Sequence, residues 1–586
     1  MAGRRNEKPI RRAGLISPFG VGATVDYADG QSLITSAIDH WPFAEETCPA
    51  ELKIDEDRLC DALNISEIRF PPDFELGGNI RAARFPRWQH CPRCHSLRSQ
   101  IAARDCNNPE CLKKKVKTLP MRFVAICPNG HIDDIDWMRW VHGEALGSEG
   151  CQLRYTAGRS SSLSGITISC SCGKKRSLGG LFSKAENARG LQQPCRGHRP
   201  WLGAKANEHC EEMMQAAQKG ASNVYFPKVE SAIYVPDWLE KQSNKIQTLI
   251  RDPEFWGTIE ATLDDDQTPN KTIVKNYASR RGIDETQLYL AIVAKLKGEQ
   301  TADKEVDLKP AEYAAITSCA GSPEEELFVR GADLADYQAW VQKYFSGVYL
   351  ISKLRETRVL SGFSRVQPPG PSDQARIQPV SQKVNWLPGI KVAGEGFLLT
   401  FNIEKLRSFG GLASPRLRAS KIEENINRSN QKLGRECIKL RPEELVVHTF
   451  AHLMIRAISY ECGYGSSALR ERIYVDLNSE TPMAGALIYT ASGDSEGSLG
   501  GIVRQAEPGR LEKSILHALK AADWCSSDPV CAETEGQGSS GANLAACHAC
   551  ALLPETSCEY GNRLLDRISV VGSAEDRTSG YFGSLL

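Results

Sequence analysis

Residues Cys91-Pro-Arg-Cys94, followed by Cys106 and Cys111, carry the spacing C-x2-C-x11-C-x4-C. Two tight cysteine pairs flanking a short excursion suit a tetrahedral four-thiolate zinc site. Each pair turns two sulfurs toward one point, and the excursion returns the second pair to the first. Pro92 and Asn107-Asn-Pro109 supply turn chemistry at both corners. The expectation is structural zinc on Cys91, Cys94, Cys106 and Cys111 inside a zinc-ribbon-like module. Of the 20 cysteines, twelve lie between Cys48 and Cys210, three (Cys319, Cys437, Cys462) in the long middle, and five between Cys525 and Cys558. In a long chain with no signal-peptide core after its basic start, close cysteines read as metal ligands rather than disulfides.

Three further groups follow from this reading. Cys151, Cys170-Ser-Cys172-Gly173 and Cys195 form a looser group, with Gly173 able to take the positive φ of a ligand turn. Beside it lies Cys127-Pro-Asn-Gly-His131, whose loop could bring a thiolate and an imidazole to one metal, with His142 or His198 as further donors. The last set is Cys547-His-Ala-Cys550 with Cys558 seven residues on; its fourth ligand is Cys531, nearest in sequence, with Cys525 as the alternative. Four-thiolate sites leave no open position for water or substrate, so these sets predict structural zinc and no Lewis-acid chemistry.

Lys plus Arg (72) equals Asp plus Glu (72), which excludes a protein basic all over. The charge is nonetheless segregated. Arg84 to Arg122 has ten basic residues and two acids, a balance of +8, and Arg159 to Arg199 has eight and one. Loading the first site with zinc leaves about +6. Basic zinc modules of this kind often meet phosphate backbones, with a solvated face as the alternative for Lys113-Lys-Lys115. The candidate contacts are Arg93, Arg98, Lys113, Lys114, Lys115, Lys117, Lys174, Lys175 and Arg176. No base-reading element is visible, so such contact would be salt-sensitive and sequence-tolerant.

The 586 residues suggest about four domains. The fold class expected is α+β and multidomain: a small β-rich region (1–83), basic cysteine-rich zinc modules (84–205), a mainly helical region (206–355), and a mixed α/β C-terminal domain (356–586) closed by a four-cysteine zinc site. Pro323 to Phe345 reads as a helix. So does Pro442 to Tyr460, with Pro at its start and Glu443 and Glu444 in its first turn. Gly396 to Ile403, Arg472-Ile-Tyr-Val475 and Ala486-Leu-Ile-Tyr489 read as strands. No run of 18 apolar residues occurs, so no membrane span is expected; Ala13 to Gly22, after the basic start, is too broken by Gly and Pro for a signal-peptide core, and the cytoplasm is the default.

The chain has no phosphate-binding loop of the G-x4-G-K-[ST] type: its Gly173-Lys174 pair is followed by Lys175 and preceded at position 168 by Ile. The Gly493 to Gly501 loop lacks a lysine and reads as a turn. His448 and His452 are spaced i, i+4 on the expected helix, with Glu444 one turn earlier. A zinc protease needs Glu beside the first His, and Thr449 stands there instead. The two histidines therefore read mainly as core residues, with a metal-dependent hydrolase on Glu444, His448 and His452 as the alternative.

Several separated motifs resemble one known family. Arg11-Arg-Ala-Gly-Leu-Ile-Ser-Pro-Phe-Gly-Val-Gly-Ala23, Cys127-Pro-Asn-Gly-His-Ile-Asp-Asp134 and Arg199-Pro-Trp-Leu-Gly203 are similar to the N-terminal half of the DrmB family, a subunit of the DISARM bacterial phage-defence system. Leu354 to Arg365, His448-Thr-Phe-Ala-His452, Gly497-Ser-Leu-Gly-Gly501 and Cys547-His-Ala-Cys550-x7-Cys558 are similar to a domain found also at the ends of some bacterial helicases. The resemblance implies a non-enzymatic antiviral subunit that forms a heterodimer with a helicase-like DrmA-type partner. That partner would supply ATP hydrolysis, and the pair would engage DNA. A protein-only scaffold whose zinc modules never touch nucleic acid is the remaining alternative.

Overall fold

The computed structural model describes residues 10–586 except 28–29, 46–47, 73–78, 100–104, 144–149, 159–161, 184–189, 204, 237–248, 250–252, 265–267, 282, 284, 297–306, 369–375, 433–434 and 491–500. The chain divides into two compact units. One comprises 1–60, 64–231 and 357–391, the other 61–63, 232–356 and 392–586. The long strands Phe345–Ser364 and Trp386–Phe401 contribute residues to each. Among the described residues, no helix is long and apolar enough to cross a membrane. The Gly493–Gly500 part of the glycine-rich loop lies outside the described residues.

The first unit begins as short alternating runs between glycines predict. Thr24–Asp26 and Ser32–Thr35 pair antiparallel across a turn in which Gly30 takes φ +81°, and Ala82–Arg84 adds a third strand. A second sheet orders Ile132–Asp134, Phe123–Ile126 and Gln215–Gln218. A third runs Lys175–Ser177, Ile166–Cys170, Leu153–Ala157, Ser96–Ser99, Trp88–His90 and Leu119–Pro120. One sheet thus carries both the Cys91 turn and the Cys170 turn.

The separated sequence motifs of this unit meet around one buried cation. Arg365 is 1% exposed and donates to the carbonyls of Gly22 (Nη2, 2.8 Å), Gly130 (Nε, 2.8 Å) and Val224 (Nη1, 2.5 Å). Its guanidinium lies against the rings of Trp201 and Phe363. Gly22 has φ +81° and a Cβ there would fall 2.3 Å from the Phe363 ring, so only glycine fits.

In the second unit, the helix Pro442–Cys462 forms as expected and ends on Gly463 in the left-handed region. Every residue from Leu445 to Ile455 is buried, because the helix packs on the hairpin Leu469–Asp476/Met483–Thr490 and on helices Leu511–Asp523 and Arg567–Val571. Phe345, Phe401, Phe450 and Phe582 interlock beside it. Each such side chain contributes about 1.5–3 kcal/mol by leaving water. Helices Pro253–Ala261, Lys271–Arg281 and Glu285–Leu296 share a small core of their own around Phe255, Val274 and Leu288.

One expectation fails here. Pro323 to Phe345 is not a single helix: Leu327–Gly331 is a strand, Ala339–Tyr344 a short helix, and Phe345 opens the long strand. Leu327 and Val329 pair with Leu354 and Ile351 across the sheet, so tertiary pairing overrides the acidic helix-start signal.

Candidate metal centres

Among the described residues, five groups of four side chains each bring one donor atom apiece within 4.8 Å of one another. For tetrahedral zinc with Zn–S of about 2.3 Å, sulfur–sulfur edges are about 3.8 Å, far from the disulfide bond length.

The first group is the expected one. Cys91 and Cys111 sulfurs lie 3.8 Å apart and Cys94 and Cys106 sulfurs 3.5 Å. The Cys91 pair sits on the turn between strands Trp88–His90 and Ser96–Ser99. The second pair is set by the helix Pro109–Lys113, capped by Asn108. Cys91, Cys106 and Cys111 are themselves the buried core of this module, with Cys94 and Val116 packed on them. Burial pushes the Cys111 thiol up to about 12, whereas at Cys94 burial is outweighed by hydrogen bonds from Ser96 and the neighbouring thiols, which bring it down to about 6. Four packed thiols cannot all ionise together without a cation; a divalent metal removes that conflict.

The looser set divides differently from its expected grouping. Cys151, Cys170 and Cys172 are joined by His142, not by Cys195. His142 ends the helix Trp137–His142 and hydrogen-bonds the Met138 carbonyl through Nδ1 (2.9 Å), leaving Nε2 3.3 Å from the Cys172 sulfur. Gly173 has φ +90° in the turn, as its position predicts. Cys195 instead joins Cys127, His131 and Cys210. Its backbone N–H binds the Glu212 carbonyl, and that local pairing delivers Cys210, which the sequence grouping missed. Cys127 and Cys210 sulfurs are 3.7 Å apart, and the Cys195 sulfur is 3.3 Å from His131 Nδ1. His131 Nε2 donates to Glu208 (2.5 Å), a carboxylate also held by Arg199. This is the outer-shell arrangement that fixes a ligand histidine's tautomer. His198 is not in the set; its Nδ1 lies 3.5 Å from Asp133.

At the C-terminus, Cys525 and Cys531 both belong to the set of Cys547 and Cys550, with sulfur pairs at 3.5 Å (Cys525–Cys547) and 3.8 Å (Cys531–Cys550). Cys558 leaves that set. It lies with His448, His452 and Glu471, all buried, and Glu444 is not the acid that completes the group. The signal for Glu471 is an acid alternating with Leu469, Ile473 and Val475 on the otherwise apolar face of the strand Leu469–Asp476.

The basic candidates separate into two kinds. Arg93, Lys114, Lys115, Lys174 and Lys175 are exposed; Lys113 pairs with Glu110 and Lys117 with Asp105 at the surface. Arg98 and Arg176 are engaged internally. Arg98 binds Ser96 and reaches the Cys106 sulfur, and Arg176 stacks 3.5 Å from the Trp140 ring and donates to the Trp140 carbonyl.

Residues 11–226 match a family described as a domain of unknown function (DUF8724), and residues 450–551 match the MrfA Zn-binding domain. The second span holds Cys525, Cys531, Cys547 and Cys550 and stops short of Cys558. The chain is 33% identical over 557 residues to DISARM protein DrmB of Bacillus paralicheniformis, across 88% of this chain and 90% of that protein. The clustered thiols and the Zn-binding match together make zinc the cofactor.

Proposed function

The chain belongs to the DrmB family of DISARM defence proteins, and from that premise we propose that it is a non-catalytic, zinc-built subunit that pairs with a helicase-type DrmA partner and helps it hold DNA. The observation that carries this reading is the single six-stranded sheet bearing two cysteine-rich centres and, at its turns and margins, the exposed Arg93, Lys114, Lys115, Lys174 and Lys175. Zinc would be held by Cys91/Cys94/Cys106/Cys111, His142/Cys151/Cys170/Cys172, Cys127/His131/Cys195/Cys210 and Cys525/Cys531/Cys547/Cys550. Each set supplies four protein donors, so the metal there builds structure and leaves the chemistry to the partner. The role of this chain's own lysines is electrostatic: point charges for phosphates without base selection. Cysteines clustered as metal ligands, with none in a disulfide, suit a reducing cytoplasm.

The test is DNA binding by the co-purified complex, comparing wild type with the Lys114→Glu, Lys115→Glu, Lys174→Glu, Lys175→Glu variant across a salt series. The reading requires weaker binding and a shallower salt dependence, by roughly one unit of log-log slope per lost phosphate contact. Unchanged binding would leave a protein-only scaffold. ATP hydrolysis or DNA cleavage by the purified chain alone would overturn the non-catalytic assignment.

A further inference from the structure

The group formed by His448, His452, Glu471 and Cys558 poses a problem of proton accounting. His448 Nδ1 lies 3.0 Å from the Leu564 carbonyl and His452 Nδ1 lies 2.9 Å from the Ala551 carbonyl. A carbonyl oxygen only accepts, so both Nδ1 atoms carry the proton and, in neutral rings, both Nε2 atoms present lone pairs. Those two lone pairs face the same carboxylate oxygen: Glu471 Oε1 is 2.9 Å from His448 Nε2 and 3.2 Å from His452 Nε2. The Cys558 sulfur is a fourth donor, 3.3 Å from His448 Nε2. Glu471 Oε2 is buried with no hydrogen-bond partner.

Protons do not resolve this arrangement well. Satisfying Glu471 from both rings requires two imidazolium ions on one carboxylate, a net buried positive charge. Protonating one ring leaves the other nitrogen's lone pair against an acceptor. Both outcomes are costly where the histidine and glutamate side chains are 0% exposed. A divalent cation satisfies all four donors together. With Cys558 as thiolate and Glu471 as carboxylate, the centre is neutral, which a dry interior tolerates.

We propose that His448 Nε2, His452 Nε2, Glu471 and Cys558 form a fifth metal centre, for a tetrahedral Zn2+ ion, distinct from the neighbouring Cys525/Cys531/Cys547/Cys550 set. The donor set of two imidazoles, one thiolate and one carboxylate is borderline in softness and suits zinc. The paired Nδ1–H to carbonyl bonds are the outer shell that such ligand histidines carry. With four protein donors and full burial, the centre has no position for substrate. It clamps the helix Pro442–Cys462 to the strand Leu469–Asp476 and to the C-terminal segment. The two centres share that segment: Ala551, whose carbonyl orients His452, follows Cys550 of the other set. This inference does not depend on the DNA-binding reading.

The test is zinc stoichiometry of the full chain by elemental mass spectrometry, comparing wild type with Cys558→Ala. Loss of one zinc per chain supports the centre; an unchanged count overturns it. Should Cys558→Ala fail to fold, X-ray absorption at the zinc edge of the wild-type chain decides. Five loaded centres give one nitrogen or oxygen donor in four, and the four cysteine-rich centres alone give one in eight. A measured ratio at the lower value refutes the proposal without any variant.

Discussion

Replacing Arg365 by methionine isolates the contribution of the cation on which the N-terminal motifs converge. Methionine keeps much of the apolar stem but leaves the carbonyls of Gly22, Gly130 and Val224 without the donor they now share. Each buried acceptor left unsatisfied costs about 1–3 kcal/mol, a gross loss of about 3–9 kcal/mol. Relief of the desolvation that a buried guanidinium suffers offsets several kcal/mol of this, leaving a net loss of about 3 kcal/mol. Gly130 lies in the turn between Cys127 and His131, so the loss should appear as local opening of that hairpin. Hydrogen exchange of residues 123–134 in the zinc-loaded chain is the assay. About 3 kcal/mol corresponds to roughly 100-fold faster exchange through local opening. Arg365→Lys should fall between, because an ammonium cannot reach three carbonyls in a fork. Exchange in Arg365→Met within threefold of wild type would refute the reasoning.

Two other expectations follow from buried charges. Glu312 is 0% exposed, accepts from Arg472 at 2.5 and 2.8 Å, from Tyr474 at 3.1 Å and from the Ile233 N–H at 2.9 Å. Glu312→Ala strands the Arg472 cation and should cost about 3–5 kcal/mol, read as a lowered unfolding temperature; an unchanged melt would contradict the assignment. Burial, only partly countered by the N–H groups of Trp88 and Arg87, raises Asp134 to about 6. The folded state then holds a proton that the unfolded state has released. This group's contribution to stability is therefore full below about pH 4 and lost as pH rises through about 6. Asp134→Asn should gain on wild type in urea unfolding between pH 4 and 7, and a pH-independent difference would count against this.

The Cys91 site could be read from sequence because all four of its ligands lie within one short excursion and the turns flanking them are spelled out by Pro and Asn. The exchanges at Cys195 and Cys558 could not, because sequence distance is a poor guide once a sheet joins remote segments. Cys195 joins Cys127 and His131, more than sixty residues earlier, rather than the nearer Cys170 and Cys172, and Cys558 meets a helix more than a hundred residues earlier. The helix Pro442–Cys462 and both strands of its hairpin were legible from local pattern alone. Pro323 to Phe345 was not, since its strand is dictated by a partner later in the chain. The family motifs gave no hint of why they co-occur; Arg365 supplies the physical reason for four of them.

Cys547, Cys550 and Cys558 lie so close together that a reader grouping cysteines by proximity assigns them to one ion, and a nascent chain meets the same temptation. Closing the short loop from Cys550 to Cys558 costs less entropy than bringing Cys525 and Cys531 back, but each doubling of loop length adds only about 0.6 kcal/mol. Loop length alone therefore separates the two groupings only weakly. On the proposed fifth centre, what draws Cys558 away from Cys547 and Cys550 is the helix Pro442–Cys462, already synthesised when that thiol emerges, so a substitution that displaces the helix would free Cys558 to compete for the neighbouring ion.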